Sequence, residues 1–140
     1  MPRTRRLGLA IAAVPLVAAL SGCSVVAAFT PHVEPAIYDT AKELTAANNT
    51  AIGSTAFVPD DATVIRIDFD TQTGEAIMTY TSPTLLRPNV CTGTAATPKP
   101  SIQDSWWPVS GIPPQGSACP GKWIAFSIGQ QVYAIRPATK

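Results

Sequence analysis

Between residues 83 and 121 the chain carries eight prolines: Pro83, Pro88, Pro98, Pro100, Pro108, Pro113, Pro114 and Pro120. A proline removes a backbone donor and fixes φ, so such a stretch cannot continue a helix or run down the middle of a sheet. Long irregular stretches are uncommon in compact domains unless they are functional or tied down. This one is bracketed by two segments of alternating character, which is the period of a strand. In residues 62–82, Ile65, Ile67 and Phe69 alternate with Arg66, Asp68 and Asp70. Ala76, Met78 and Tyr80 then alternate with Ile77, Thr79 and Thr81. The stretch Thr71-Gln72-Thr73-Gly74 separates the two halves and predicts a hairpin with one apolar face and one largely polar face, covered on one side. In residues 122–136, KWIAFSI and QVYAIR flank Gly129-Gln130, which suits a type II′ turn with glycine first. Ile124, Phe126 and Ile128 share one face there with Tyr133 and Ile135, while Trp123 and Ala125 point the other way.

Upstream, Glu34-Pro35 opens a stretch with Ile37, Ala41 and Leu44 at i, i+4 and i+7. That spacing predicts an amphipathic helix over 34–48, with proline in its first turn and Asn48, Asn49 and Gly53 as stop signals. The resulting expectation is an α+β fold. An N-terminal helix packs on a small antiparallel sheet of two hairpins, with a long Pro-rich loop between them.

The N-terminus reads differently. Arg3, Arg5 and Arg6 precede an uncharged run over 7–20, followed by Leu20-Ser21-Gly22-Cys23. A basic region, a short apolar region and small residues before a break point define a secretory signal peptide. Fourteen helical residues reach roughly 21 Å, short of the roughly 30 Å hydrocarbon core, so a permanent transmembrane helix is the poorer reading. Thr4-Arg5-Arg6-Leu7-Gly8-Leu9 is similar to a twin-arginine export motif. Gly8 departs from it where a bulky apolar residue is preferred, and the general secretory route is the expected one.

The motif Leu20-Ser21-Gly22-Cys23 resembles the lipobox of bacterial lipoproteins. The resemblance implies a diacylglyceryl group on the Cys23 sulfur, cleavage before Cys23, and attachment to the extracytoplasmic face of the cell membrane without crossing it. Two acyl chains suffice for stable anchoring where one does not. The expected organisation is then a signal peptide over 1–22, a lipidated tether over 23–33 and a single small domain over 34–140. In the rest of the chain, Val58-Pro59-Asp60-Asp61 and Trp106-Trp107-Pro108 resemble segments of small uncharacterised lipoproteins from actinobacteria, a likeness that implies no activity.

Removing residues 1–22 leaves 118 of 140 residues. Formal charge moves from +1 to about −2, because three arginines leave and all nine acids stay. The mature chain therefore lacks the basic stripe that nucleic acid binding needs. With Cys23 assigned to lipid, Cys91 and Cys119 are an even pair in an exported chain, and a disulfide is the simplest account. It would staple the Pro-rich loop.

Candidate chemistry is sparse. His32 is the only histidine and stands beside the anchor, outside any predicted element. With no other cysteine or histidine, a Cys/His metal site has no ligands. Asp68 and Asp70, two apart on a strand, share a face where paired carboxylates do acid–base work or bind a cation. The run 68–74 is similar to a calcium loop, but its glycine comes one place late and Thr79 stands where a bidentate carboxylate belongs. Trp106 and Trp107 are adjacent, so on an extended segment one faces inward and the other outward. An exposed indole stacks on sugars, peptides or headgroups, whereas two buried ones plug a core. The expectation is a membrane-anchored envelope lipoprotein acting as a non-enzymatic binding or accessory module. It needs no metal or cofactor, and Trp106 and Trp107 are candidate contacts for an envelope protein or glycan. The rival readings are a structural surface lipoprotein and a carboxylate-based envelope enzyme.

Overall fold

A computed structural model describes residues 32–139. The segment expected to be a signal peptide, the expected lipidation site Cys23 and the expected tether up to residue 31 lie outside the described residues. The described chain forms one seven-stranded antiparallel sheet with a single short α-helix. In chain order the elements are β1 (Val33–Thr40), α1 (Ala41–Ala47), β2 (Thr63–Asp70), β3 (Ala76–Thr81), β4 (Thr94–Ala96), β5 (Gln115–Cys119), β6 (Trp123–Ile128) and β7 (Gln131–Arg136). Pro120–Lys122 adds a 3-10 turn before β6. The spatial order is β1-β2-β3-β7-β6-β5-β4. Two meanders, β1–β2–β3 and β4–β5–β6–β7, thus meet along β3 and β7, where Ala76 pairs with Arg136 and Thr81 with Gln131.

This overturns the expected α+β layout of an N-terminal helix on two hairpins. The helix predicted over 34–48 occupies only Ala41–Ala47, and the residues before it are an edge strand. The reason is local. Thr40, in extended conformation, caps the helix by accepting the Glu43 N–H through its Oγ1 at 3.3 Å. Upstream, the Thr71 N–H donates to the His32 carbonyl at 2.9 Å. From that pair the register places Glu34, Ala36 and Tyr38 in hydrogen-bonded positions against Phe69, Ile67 and Ile65. Val33, Pro35, Ile37 and Asp39 therefore turn their backbone groups to the open edge. Proline is tolerated there because the donor it lacks would have faced solvent. The Asp39 N–H is taken by the Glu43 carboxylate at 2.9 Å. Ile37, expected on the helix's apolar face, is 69% exposed, while Ala41 and Leu44 are buried. Val33, assigned to the tether, is already the first residue of β1.

The sheet is covered on both faces, not one. Ile65, Ile67, Phe69, Ala76, Met78, Tyr80, Val132, Ala134, Trp123 and Ala125 form the larger layer, under Ala41, Leu44, Ile52, Phe57 and Val58. On the opposite face, Ile77, Phe126 and Ile135 pack under Ile102 and Trp107, with Trp106, Ile124 and Tyr133 at the margin. The Pro-rich stretch supplies that second cover. It also contains β4 and β5, two strands absent from the expectation. Gly116 lets β5 approach β6: a Cβ there would stand 2.7 Å from the Ala125 carbonyl oxygen.

Cys91 and Cys119 form a disulfide, with S–S 2.01 Å and Cα–Cα 4.1 Å. It closes the β4–β5 hairpin together with the covering segment. The backbone agrees with it, since the Thr92 N–H donates to the Ala118 carbonyl at 2.9 Å and the Ala118 N–H to the Gly93 carbonyl at 3.1 Å. No helix among the described residues is long and apolar enough to cross a membrane.

Candidate functional site

The second face of the sheet gathers most of the residues that sequence alone singled out. Asp68 pairs with Ile77 across β2 and β3, so both side chains rise from this face, and Glu75 and Asp70 follow by alternation. Segment 98–108 lies across it. Glu75 is buried, and its carboxylate Oε1 accepts the backbone N–H groups of Ser101 and Ile102, which fixes one end of the segment. A turn fixes the other end, with the Trp107 N–H donating to the Asp104 carbonyl at 3.1 Å.

Trp107 is 7% exposed and seats itself edge-on against Phe126 and Tyr133, at centroid separations of 6.0 and 5.8 Å. Phe126 and Tyr133 stack on each other at 5.5 Å. Trp106 is half-buried and meets Trp107 edge-on at 6.2 Å. The tandem thus splits into one core plug and one indole at the rim. Edge-to-face and offset contacts of this kind add stability beyond simple area burial.

Asp68 and Asp70 do not form a shared site. Asp70 Oδ1 accepts the backbone N–H groups of Gln72 and Thr73, at 2.7 and 2.9 Å. Led by the Thr73 bond, these contacts hold its carboxyl below the usual range. The carboxylate thereby shapes the turn 71–74, which is also why the run that resembles a calcium loop is a β-turn. Asp68 is 7% exposed and meets Asp104 of the covering segment side chain to side chain. Burial, then the hydrogen bond and negative charge of Asp104, push the Asp68 carboxyl up to about 6. Burial acts on Asp104 in the same sense, but is outweighed by hydrogen bonds from Ser105, Asp68 and the backbone, and its carboxyl sits below the usual range. Below about pH 6 Asp68 is the member of the pair that carries a proton, which it can donate to an Asp104 oxygen; above it both carboxyls are ionised. Asp104 lies 36 positions from Asp68 in the numbering, and no local pattern marks the partnership.

His32 takes no part in a nucleophile arrangement; its carbonyl accepts both the Thr71 N–H and Oγ1–H, at 2.9 and 3.1 Å. Among the described residues, no group of three or more His, Cys, Asp or Glu side chains is placed to hold a metal ion. Two further polar constellations have structural roles. Asp61 accepts the hydroxyls of Ser82 and Thr84, and Ser82 Oγ in turn accepts the backbone N–H groups of Thr84 and Leu85, both at 3.1 Å. This locks the exit of β3 onto the entry of β2. Arg136, 9% exposed, donates Nε–H to the Gly74 carbonyl at 2.9 Å and its Nη groups to the carbonyls of Ile52 and Ala51. Its guanidinium carbon stands 5.4 Å from the centre of the Trp123 ring.

Two of the shallow grooves beside α1 are lined by Leu44. One, of about 430 Å³, runs along Leu44, Asn48, Ile52 and Thr55. The other, of about 380 Å³, runs along Ala41, Val58, Arg87 and Val90. Neither gathers titratable groups suited to catalysis. No family model, curated protein or solved structure matches this chain.

Proposed function

We propose that the chain is a lipid-anchored protein of the bacterial envelope, and that its sheet domain is a non-enzymatic binding or accessory module on the extracytoplasmic side of the membrane. One observation carries the reading: of three cysteines, two are joined as Cys91–Cys119, and the third stands as the last residue of Leu20-Ser21-Gly22-Cys23. A disulfide belongs to an oxidising compartment, and the remaining thiol occupies the position a lipoprotein modifies. Nine peptide units separate Cys23 from His32, no more than roughly 32 Å even if fully extended. The domain would therefore stand near the bilayer, where its partner is an envelope protein or a glycan. Trp106, half-buried at the rim of the second face, is the aromatic contact such a partner would meet.

The test is the intact mass of the protein recovered from bacterial membranes. The expected species begins at Cys23, carries a diacylglyceryl adduct and is two hydrogens lighter than the dithiol form. Cys23→Ala should leave residues 1–22 attached and abolish the adduct. A wild-type product that keeps those residues, or that leaves the membrane in low-detergent buffer, overturns the reading. For the binding role, Trp106→Ala should weaken cosedimentation with isolated cell-wall glycan, or crosslinking to an envelope protein, under conditions where the variant remains folded, while lowering the unfolding midpoint less than Trp107→Ala does.

A further inference from the structure

We propose that segment 98–108 is a proton-controlled strap: one proton shared between Asp68 and Asp104 holds it closed over the aromatic layer, and losing that proton loosens it. The geometry carries this. The strap is attached to the sheet by a small set of contacts. Glu75 accepts its Ser101 and Ile102 N–H groups, Ile102 and Trp107 plug into the layer of Ile77, Phe126 and Ile135, and Asp104 meets Asp68 between them. Of these, only the last consists of two acids in contact. Two ionised carboxylates cannot share a hydrogen bond, and at contact distance in a partly dry site they repel.

The neighbouring charges do not relieve that repulsion. On its own strand Asp68 is flanked on the same face by Arg66 and Asp70, and Asp70 is committed to the turn. From β3 the same face presents Glu75, a further acid, and Thr79. From β1 it presents Val33, Pro35 and Ile37, with Asp39 one position beyond. From β7 it presents Tyr133, and the strap itself brings Asp104 and the exposed Lys99. Neither Arg66 nor Lys99 forms an ion pair among the described residues; the pair found there is Arg87–Asp60. The local balance around Asp68 is thus acidic. Its carboxyl is pushed up to about 6, which places the change within reach of ordinary environmental pH. When the strap loosens, Trp107 leaves its seat and the stacked rings of Phe126 and Tyr133 become accessible.

The experiment is peptide-resolved hydrogen exchange on the full chain from pH 5 to 8, corrected for the intrinsic pH dependence of exchange. Peptides from β3 serve as the internal reference. Protection of 98–108 should fall about tenfold across this range, with a midpoint near 6, while β3 protection stays constant. Asp68→Asn should flatten the profile in the closed state, since an amide at 68 donates to Asp104 at every pH. Asp104→Asn, on the exposed side of the contact, should flatten it as well and keeps the test decisive if the buried substitution fails to fold. A flat wild-type profile overturns the proposal. So does a profile that survives in Asp104→Asn, or a loss of β3 protection in step with the strap.

Discussion

A buried cation without a carboxylate partner is uncommon, and Arg136, which has none among the described residues, shows how the chain tolerates one. Three carbonyl oxygens, from Gly74, Ile52 and Ala51, accept its N–H groups, and the Trp123 ring covers one side. Burial lowers its pKa from the ordinary arginine value, a direction that leaves it charged at neutral pH. The planar fork spans carbonyls on two separate loops, which an ammonium cannot do. Arg136→Lys should therefore cost about 2 kcal/mol or more, read as a shift in the urea midpoint, because at least one carbonyl loses its partner. The acids divide into two groups with opposite pH behaviour. Asp61, through the Ser82 and Thr84 hydroxyls, and Asp70, through the Thr73 and Gln72 N–H groups, have depressed pKa values. Their contribution to stability is present above the ordinary carboxyl pKa and is lost as pH falls through the folded values. Asp68 has a raised pKa, so its contribution is complete below about pH 4 and is lost as pH rises to about 6. Urea midpoints measured against pH should show both limbs, and Asp68→Asn should remove the limb between 4 and 6 while leaving the more acidic one.

At the scale of elements, β1 is an edge that the sequence protects against pairing with another chain. Pro35 deletes one outward donor and the Glu43 carboxylate occupies the Asp39 N–H. Pro35→Val restores an outward N–H on a strand that already exposes Val33 and Ile37. That variant should self-associate with rising concentration in analytical ultracentrifugation, with little change in monomer stability. The same proline explains why β1 is hard to read from sequence. Ile37, Ala41 and Leu44 have helical spacing, yet they straddle the boundary between a strand and a seven-residue helix. The local signal that separates them is Thr40-Ala41-Lys42-Glu43, a Thr-x-x-Glu pattern in which Thr40 caps the helix that starts at 41 and the Glu43 carboxylate reaches back to the Asp39 N–H. The segments around 63–81 and 123–136 are legible because large apolar residues alternate and Gly129, at φ 64°, supplies the hairpin turn. β4 and β5 are not, because Thr94–Ala96 and Gln115–Cys119 are built of small and polar side chains whose pairing is decided by close backbone approach at Gly116. The division of Trp106 and Trp107 between rim and core is set by the turn that ties the Trp107 N–H to the Asp104 carbonyl, not by alternation along an extended segment, and sequence alone left it open. The contact of Asp68 with Asp104 is purely tertiary, and the double covering of the sheet follows only once the Pro-rich segment is folded onto it.

On the scale of the whole molecule, the disulfide encloses β4, β5 and the strap in one loop of sequence separation 28. Chain-entropy estimates give about 3–4 kcal/mol for a closure of this length, a large part of the stability of a small domain. Reduction, or the double substitution Cys91→Ser with Cys119→Ser, should lower the unfolding free energy by about that amount in chemical denaturation. The loss should be concentrated in β4, β5 and 98–108 by hydrogen exchange, because β1–β2–β3 and β6–β7 pair without crossing the bridge.

The meeting of β3 with β7 has a consequence for how the protein is made. β7 is the last of the described strands to leave the ribosome, yet it sits at the centre of the sheet, closing a register that joins Ala76 to Arg136 across sixty positions. Until it arrives, the first meander ends in a bare inner border and the second lacks its innermost member. Neither meander can complete its pairing alone, so closure of the sheet waits on the β7 segment and joins the two halves in one late, non-local step.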